Sequence, residues 1–203
     1  VQTLPEADIV IMATGNAFPV IPAGAEELTE KDGYYADPYK ADYQYIAAGE
    51  EVVILGAGLS MIDAVLSLHR SGFQGKITAI SRHGLLPESH SENTAIWPFF
   101  IAGKLPETAY ETLRLVRKQA KMAQQQNMPW QAVIDSLRPV TNDIWESWHE
   151  KERQKFSRLL PYWNIHRHRM APQIAEVIGK LKQDGILFIQ KDKIKNISHS
   201  HKK

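Results

Sequence analysis

Apolar positions in this chain follow two rhythms. Short continuous runs at 7–13 (Ala-Asp-Ile-Val-Ile-Met-Ala) and 52–55 (Val-Val-Ile-Leu) have the length of buried strands. The first is stopped by Thr14-Gly15-Asn16 and leads into Pro19 and Pro22, so the chain leaves it extended and unable to form helix. The second breaks at Gly56-Ala57-Gly58, after which Met61, Ile62, Val65, Leu66 and Leu68 recur at helical spacing. That helix is expected to end near Ser71, with Gly72 in the left-handed capping position. Gly75 then precedes a second strand over 76–81.

Beyond residue 105 the rhythm is helical. A helix over 107–126 carries Ala109, Leu113, Val116, Ala120 and Ala123 on one face, with Arg114, Arg117, Lys118 and Lys121 on a solvated one. Pro129 breaks it, and helices over 130–137 and 143–160 follow, the second presenting Trp145, Trp148, Phe156 and Leu159 or Leu160. Residues 161–172 read as an extended segment, in which Arg167 and Arg169 would share a face between His166 and His168. Pro172 opens a helix to about Gln183, closed by Asp184-Gly185. Residues 186–189 are a third strand, and 193–198 would pair back as a fourth. Residues 23–50 are a connecting segment, whose five tyrosines between 34 and 45 are expected to pack under a loop.

Strand, glycine turn and helix together predict a phosphate site. Gly56 allows the tight turn, Gly58 lets backbone approach a pyrophosphate, and the helix N-terminus offers unpaired N–H groups to negative charge. The third glycine of the fingerprint is replaced by Met61. A plainer reading makes Ser60 and Asp63 a capping pair for an ordinary helix. The end of the second strand reads Ser81-Arg82-His83, about 20 residues or more beyond the glycines, where a carboxylate would select NAD and an arginine NADP. Arginine favours NADP. The irregular stretch 84–103, with its Ile96-Trp97-Pro98-Phe99-Phe100 cluster, lies where open α/β folds bind ligands. His83 and His90 sit nearby without metal-ligand spacing and read as structural. Paired arginines at 167 and 169 suit a second phosphate or carboxylate contact, or else an ion-paired structural strip.

Composition narrows the classes. With 43% hydrophobic and 23% charged residues, the chain is ordinary for a globular protein. A formal net charge of +1 gives no reason to expect nucleic acid or a membrane surface as partner. The absence of cysteine removes disulfides, thiolate chemistry and cysteine zinc sites, which fits a cytoplasmic protein. No apolar run approaches the roughly 18 to 20 residues of a membrane span. The chain starts at Val1 with no leader, and its first strand lacks a preceding helix, so an internal piece of a longer protein is expected.

Three segments then carry a resemblance. Asp8-x-Val10-x-x-Ala13-Thr14-Gly15-Asn16 with Pro19 and Pro22 resembles the strand and exit loop that touch FAD in two-dinucleotide flavoproteins. Residues 54–63 with Ala79-Ile80-Ser81-Arg82-His83-Gly84-Leu85-Leu86-Pro87 resemble the NAD(P) unit inserted after it. His166-Arg167-His168-Arg169-Met170-Ala171-Pro172, with Leu137-Arg138-Pro139, is similar to a late motif of bacterial FAD/NAD(P)-binding proteins, in which a non-glycine residue at the Met61 position is usual.

The resemblance implies an α/β fold: a Rossmann-like NAD(P)-binding domain at 51–190 with a large helical insertion at about 105–160. Residues 1–50 and 191–203 would be edge segments of an incomplete FAD domain. It implies an FAD-dependent oxidoreductase, monooxygenases included, in which NADPH delivers hydride to flavin and an unknown small molecule is the substrate. Gly56, Gly58, Leu59 and Ser60 would line the pyrophosphate, and Ser81, Arg82 and His83 the 2′-phosphate. Thr14 and Gly15 would approach FAD, with Arg167 and Arg169 as further anion contacts. No catalytic nucleophile or base is expected, because the cofactors carry the redox chemistry. The family's first glycine-rich unit is missing, so this piece alone should not turn over. The rival readings are an S-adenosylmethionine-dependent methyltransferase, which would want a carboxylate where Arg82 stands, and a non-enzymatic interaction or nucleotide-binding module.

Overall fold

The structure, a computed structural model, describes residue 8 and residues 20–47, 49–93, 95–101 and 103–198. The strand expected over 7–13, together with Thr14 and Gly15, lies outside the described residues apart from Asp8. The chain divides into two compact units, Val1–Ala41 with Lys195–Lys203, and Asp42–Ile194.

In the smaller unit a 3-10 turn, Glu30–Asp32, closes on Gly33 in the left-handed region. Ile197 N donates to Ala23 O at 2.9 Å. Gly24, also at positive φ, lies so close to the Ile197 carbonyl that a Cβ there would sit 2.0 Å from it. The fourth strand expected over 193–198 is therefore not formed. No strand is assigned there among the described residues, and the end of this segment bonds to the Ala23 loop instead.

The larger unit is built on a three-stranded parallel sheet in the order β1-β2-β3, with β1 Val52–Leu55, β2 Ile77–Ser81 and β3 Leu187–Lys191. Registers run Val52↔Ile77↔Leu187 through to Ser81↔Lys191. Helix α1, Leu59–Arg70, joins the first two strands and ends on Ser71, with Gly72 at φ 84°. Met61, Ile62, Val65, Leu66 and Leu68 pack with Ile77, Ala79 and Leu187 in one buried cluster. Met61, standing where a third glycine would allow closer helix–strand packing, is itself part of that core. Each large side chain buried here contributes about 1.5–3 kcal/mol.

Between β2 and the last helix runs the predicted helical block. It comprises α2 Ala109–Gln125, α3 Trp130–Ser136, α4 Thr141–Ser147, α5 Glu150–Ser157 and α6 Leu160–Arg167. Thr108 caps α2, its hydroxyl accepting from Glu111 N at 3.1 Å. These helices bury a second cluster around Val116, Ala123, Val133, Leu137, Ile144, Trp148 and Phe156. Helix α7, Pro172–Gln183, then returns to the sheet and adds Ile178 and Leu181 to the first cluster.

Two expectations are corrected here. The single helix over 143–160 is two, because Trp148 takes an extended conformation (ψ 139°) and His149 starts a new helix. The cause is an anchor: Trp148 is buried and its indole N–H donates to Pro106 O at 3.0 Å. The freed carbonyls of Trp145 and Glu146 are taken up by the Arg153 guanidinium. The segment 161–172 is mostly helical rather than extended, with Pro161 in the first turn of α6. Arg167 is thus the last residue of a helix, and only 168–171 are left outside regular helix.

Helices α1 and α7 share the first cluster and cover one sheet face. On the other, Val53, Leu55 and Phe188 are 53%, 38% and 43% exposed, so that face is apolar yet open, unlike the usual parallel sheet.

Candidate functional site

The glycine turn sits at the C-terminal edge of β1. Gly56 has φ 119°, a conformation that side chains resist, and its N–H donates to Ile80 O at 2.8 Å, tying the turn to β2. Gly58 is the N-cap of α1, with no side-chain cap hydrogen bond. The plainer capping reading fails on this point, since Ser60 lies inside the helix at its second position. The first helical bonds run from Met61 N and Ile62 N back to Gly58 O, at 3.1 and 3.2 Å. The amides ahead of them are the ones a helix start leaves for a ligand. Among the described residues, a Cβ built on Gly56 or Gly58 would meet no atom within 4 Å beyond its chain neighbours.

The end of β2 bends sharply beside it. Ser81 Oγ accepts from Gly84 N at 3.0 Å, and Gly84 (φ 62°) turns the chain against Lys191 of β3. This leaves Ser81 as the last residue of β2, Arg82 exposed just beyond it and His83 half-buried, its ring 5.8 Å from that of Tyr162. Seven of the eleven expected cofactor contacts (Gly56, Gly58, Leu59, Ser60, Ser81, Arg82 and His83) therefore lie at or beside the C-terminal edge of β1 and β2. Arg167 and Arg169 lie elsewhere, against the helical block.

The Arg169 side chain is fully buried and forms an ion pair with Asp135, its Nη2 donating to both carboxylate oxygens at 2.7 and 2.8 Å. Its Nη1 donates to Gln131 O at 3.4 Å, its guanidinium lies 5.7 Å from the Trp130 ring centroid, and its Nε is buried without a partner. Arg138 Nε also donates to Asp135, at 3.1 Å. Arg167 makes no ion pair among the described residues. Its burial and the neighbouring Arg138 and Arg169 lower its pKa. Asp135 was missed by the sequence reading, because it lies on α3 with no motif of its own and meets Arg169 only through folding.

Next to this pair is a cavity of about 380 Å³. His90, Asn93 and Ile96 line it from the loop after β2, with Trp97 behind them, and Gln131 and Asp135 from α3. The loop is pinned by His90 N donating to Met170 O at 2.8 Å, and Trp97 by its indole N–H on Gln119. Burial, then the Arg169 charge, lower the His90 pKa from its ordinary value. Among the described residues no three His, Asp or Glu side chains gather as a metal site, and no helix is long and apolar enough to cross a membrane.

A parallel sheet, a glycine turn running into a helix, and an arginine at the tip of the second strand are consistent with a Rossmann-like dinucleotide-binding unit. Residues 2–185 match the L-lysine 6-monooxygenase/L-ornithine 5-monooxygenase family, and the chain belongs to that family. It is a family of flavin-dependent monooxygenases within the FAD/NAD(P)-binding superfamily, whose members use flavin and NADPH on small molecules. No curated protein and no solved structure matches the chain.

Proposed function

We propose that this chain supplies the NADPH-binding part of an FAD-dependent monooxygenase. The observation that carries the reading is the glycine turn at the start of α1, where Gly56 holds φ 119° and a Cβ on Gly56 or Gly58 would meet no atom of the described residues beyond its chain neighbours. Gly56, Gly58, Leu59 and Ser60 hold the pyrophosphate against the positive end of α1. Ser81 and Arg82 take the 2′-phosphate, with His83 braced behind them by Tyr162. Thr14 and Gly15 approach FAD in this reading.

When bound, the cofactors supply the redox chemistry: NADPH, a proton and O₂ yield NADP⁺, water and one oxygen atom inserted into the substrate. The chain's own residues orient and exclude. Arg169, committed to Asp135, serves as the ion-paired strip that positions α3, and Arg167 is left as the candidate for a further anion contact.

The substrate is assigned to the cavity beside α3, whose volume falls in the roughly 300–1,000 Å³ of small-molecule sites. Its carboxylate is already paired to two arginines, and Asn93 Oδ1 and Gln131 Nε2 are bonded to Ala95 N and Ser89 O, so the remaining amide atoms, Asn93 Nδ2 and Gln131 Oε1, are the ones to recognise a polar aliphatic molecule over the Ile96 and Trp97 wall. A lysine- or ornithine-like amino acid, as the family's name has it, is the substrate class that follows.

The test is Gly58→Ala with NADPH titrated calorimetrically. The added methyl meets no atom of the described residues beyond its chain neighbours, so the melting temperature should hold while NADPH affinity falls. Unchanged affinity would remove the pyrophosphate from this turn.

A further inference from the structure

Dinucleotide choice rests on more than the residue that ends β2. Ser81 and Lys191 are aligned partners on neighbouring parallel strands, so their side chains leave the sheet on the same face. That face is the one α1 covers, since Ile77 and Ala79 of β2 and Leu187 of β3 share a cluster with Met61 and Val65. Lys191 therefore stands at the C-terminal edge, on the side where α1 begins. The loop carrying Arg82 rests on it directly: a Cβ on Gly84 would come within 2.9 Å of Lys191 Cβ, and Asp192 N donates to Ser81 O at 3.0 Å. Lys191 is exposed and makes no ion pair among the described residues. Asp192 is at the same edge, but its carboxylate oxygens accept from Lys193 N at 2.7 Å and Gln190 Nε2 at 3.4 Å.

From this register and loop contact we infer that Lys191 is a second cation for the 2′-phosphate of NADPH, acting beside Arg82 as a specificity-determining residue. The inference rests on the dinucleotide reading above and extends it to β3. An arginine on the loop tip presents a planar fork, whereas a lysine on the adjoining strand adds a point charge from the sheet. Such a pair discriminates a phosphate from a hydroxyl more strongly than either member, because the non-phosphorylated cofactor gives neither cation anything to bind.

The experiment measures dissociation constants for NADPH and NADH with the full chain and its Lys191→Ala, Lys191→Arg and Arg82→Ala variants. Alanine keeps the Cβ under Gly84, so the loop should stay in place, and a melting curve for each variant checks this. Lys191→Ala is expected to weaken NADPH by about fivefold, the upper range for an exposed ion pair, with NADH unchanged and Lys191→Arg restoring most of the loss. If Lys191→Ala leaves NADPH untouched while Arg82→Ala weakens it, the role given to Lys191 is wrong and the dinucleotide reading stands. If Lys191→Ala weakens both cofactors equally, its effect is not phosphate recognition and the inference is overturned. If the unmodified chain binds NADH as well as NADPH, or binds neither, the reading beneath the inference falls with it.

Discussion

The Asp135–Arg169 pair invites an unequal response to removing its two members. Arg169 has no exposed side-chain surface, whereas Asp135 is 41% exposed. Asp135→Asn keeps the shape but strands a guanidinium in the interior with no counter-charge and an Nε that already lacks a partner. Breaking a buried pair this way costs about 3–5 kcal/mol, and the water that reaches Asp135 argues for the lower end. For a chain of this size about 3 kcal/mol corresponds to a drop of roughly 6–12 °C in melting temperature. Arg169→Met is the contrasting case: the charge leaves, an apolar chain packs against Trp130, and Asp135 keeps its bond to Arg138. Its cost should be about 1 kcal/mol or less, and adding Arg169→Met to Asp135→Asn should recover most of the stability lost. Urea denaturation of the three variants at pH 7.5 provides the numbers. A near-neutral Asp135→Asn, or an Arg169→Met as damaging as Asp135→Asn, would refute the claim that burial of one uncompensated charge dominates.

Two further outcomes follow from other contacts. Trp148→Phe should keep the apolar contact but leave Pro106 O without its donor, costing about 1–3 kcal/mol in chemical denaturation. A cost well below that range would show that water replaces the indole. For His90 the folded pKa lies below 6.5, so as pH falls below that value the unfolded chain takes up a proton that the folded chain resists, and stability declines. His90→Gln should flatten the stability–pH curve in that acid window and leave the curve above neutrality unchanged. Parallel curves for the two proteins would show that His90 does not contribute the slope.

Much of the sheet and its helices could be read in advance because local pattern and tertiary need agree there. The run 52–55, the helical spacing from Met61 to Leu68, and Pro172 through Gly185 each form elements within a residue or two of expectation. The helical block was legible as helix but not in its breaks. Nothing in the period of 143–160 announces that Trp148 must swing out to reach Pro106, since that hydrogen bond spans 42 positions. The motif around Arg167 and Arg169 drew notice for its charges, yet its geometry depends on α6 continuing through it and on Asp135, 34 residues earlier. The cavity beside α3 falls partly in the loop expected to meet ligands, but its far wall comes from the helical block, which no local pattern assigns to a site.

The two apolar clusters have no buried residue in common. Opening the helices therefore sacrifices little of what holds the glycine turn, and amide hydrogen exchange in the two regions should run on separate clocks. On the function proposed above, such a division would let one wall loosen around a small guest without slackening the hold on a nucleotide tail.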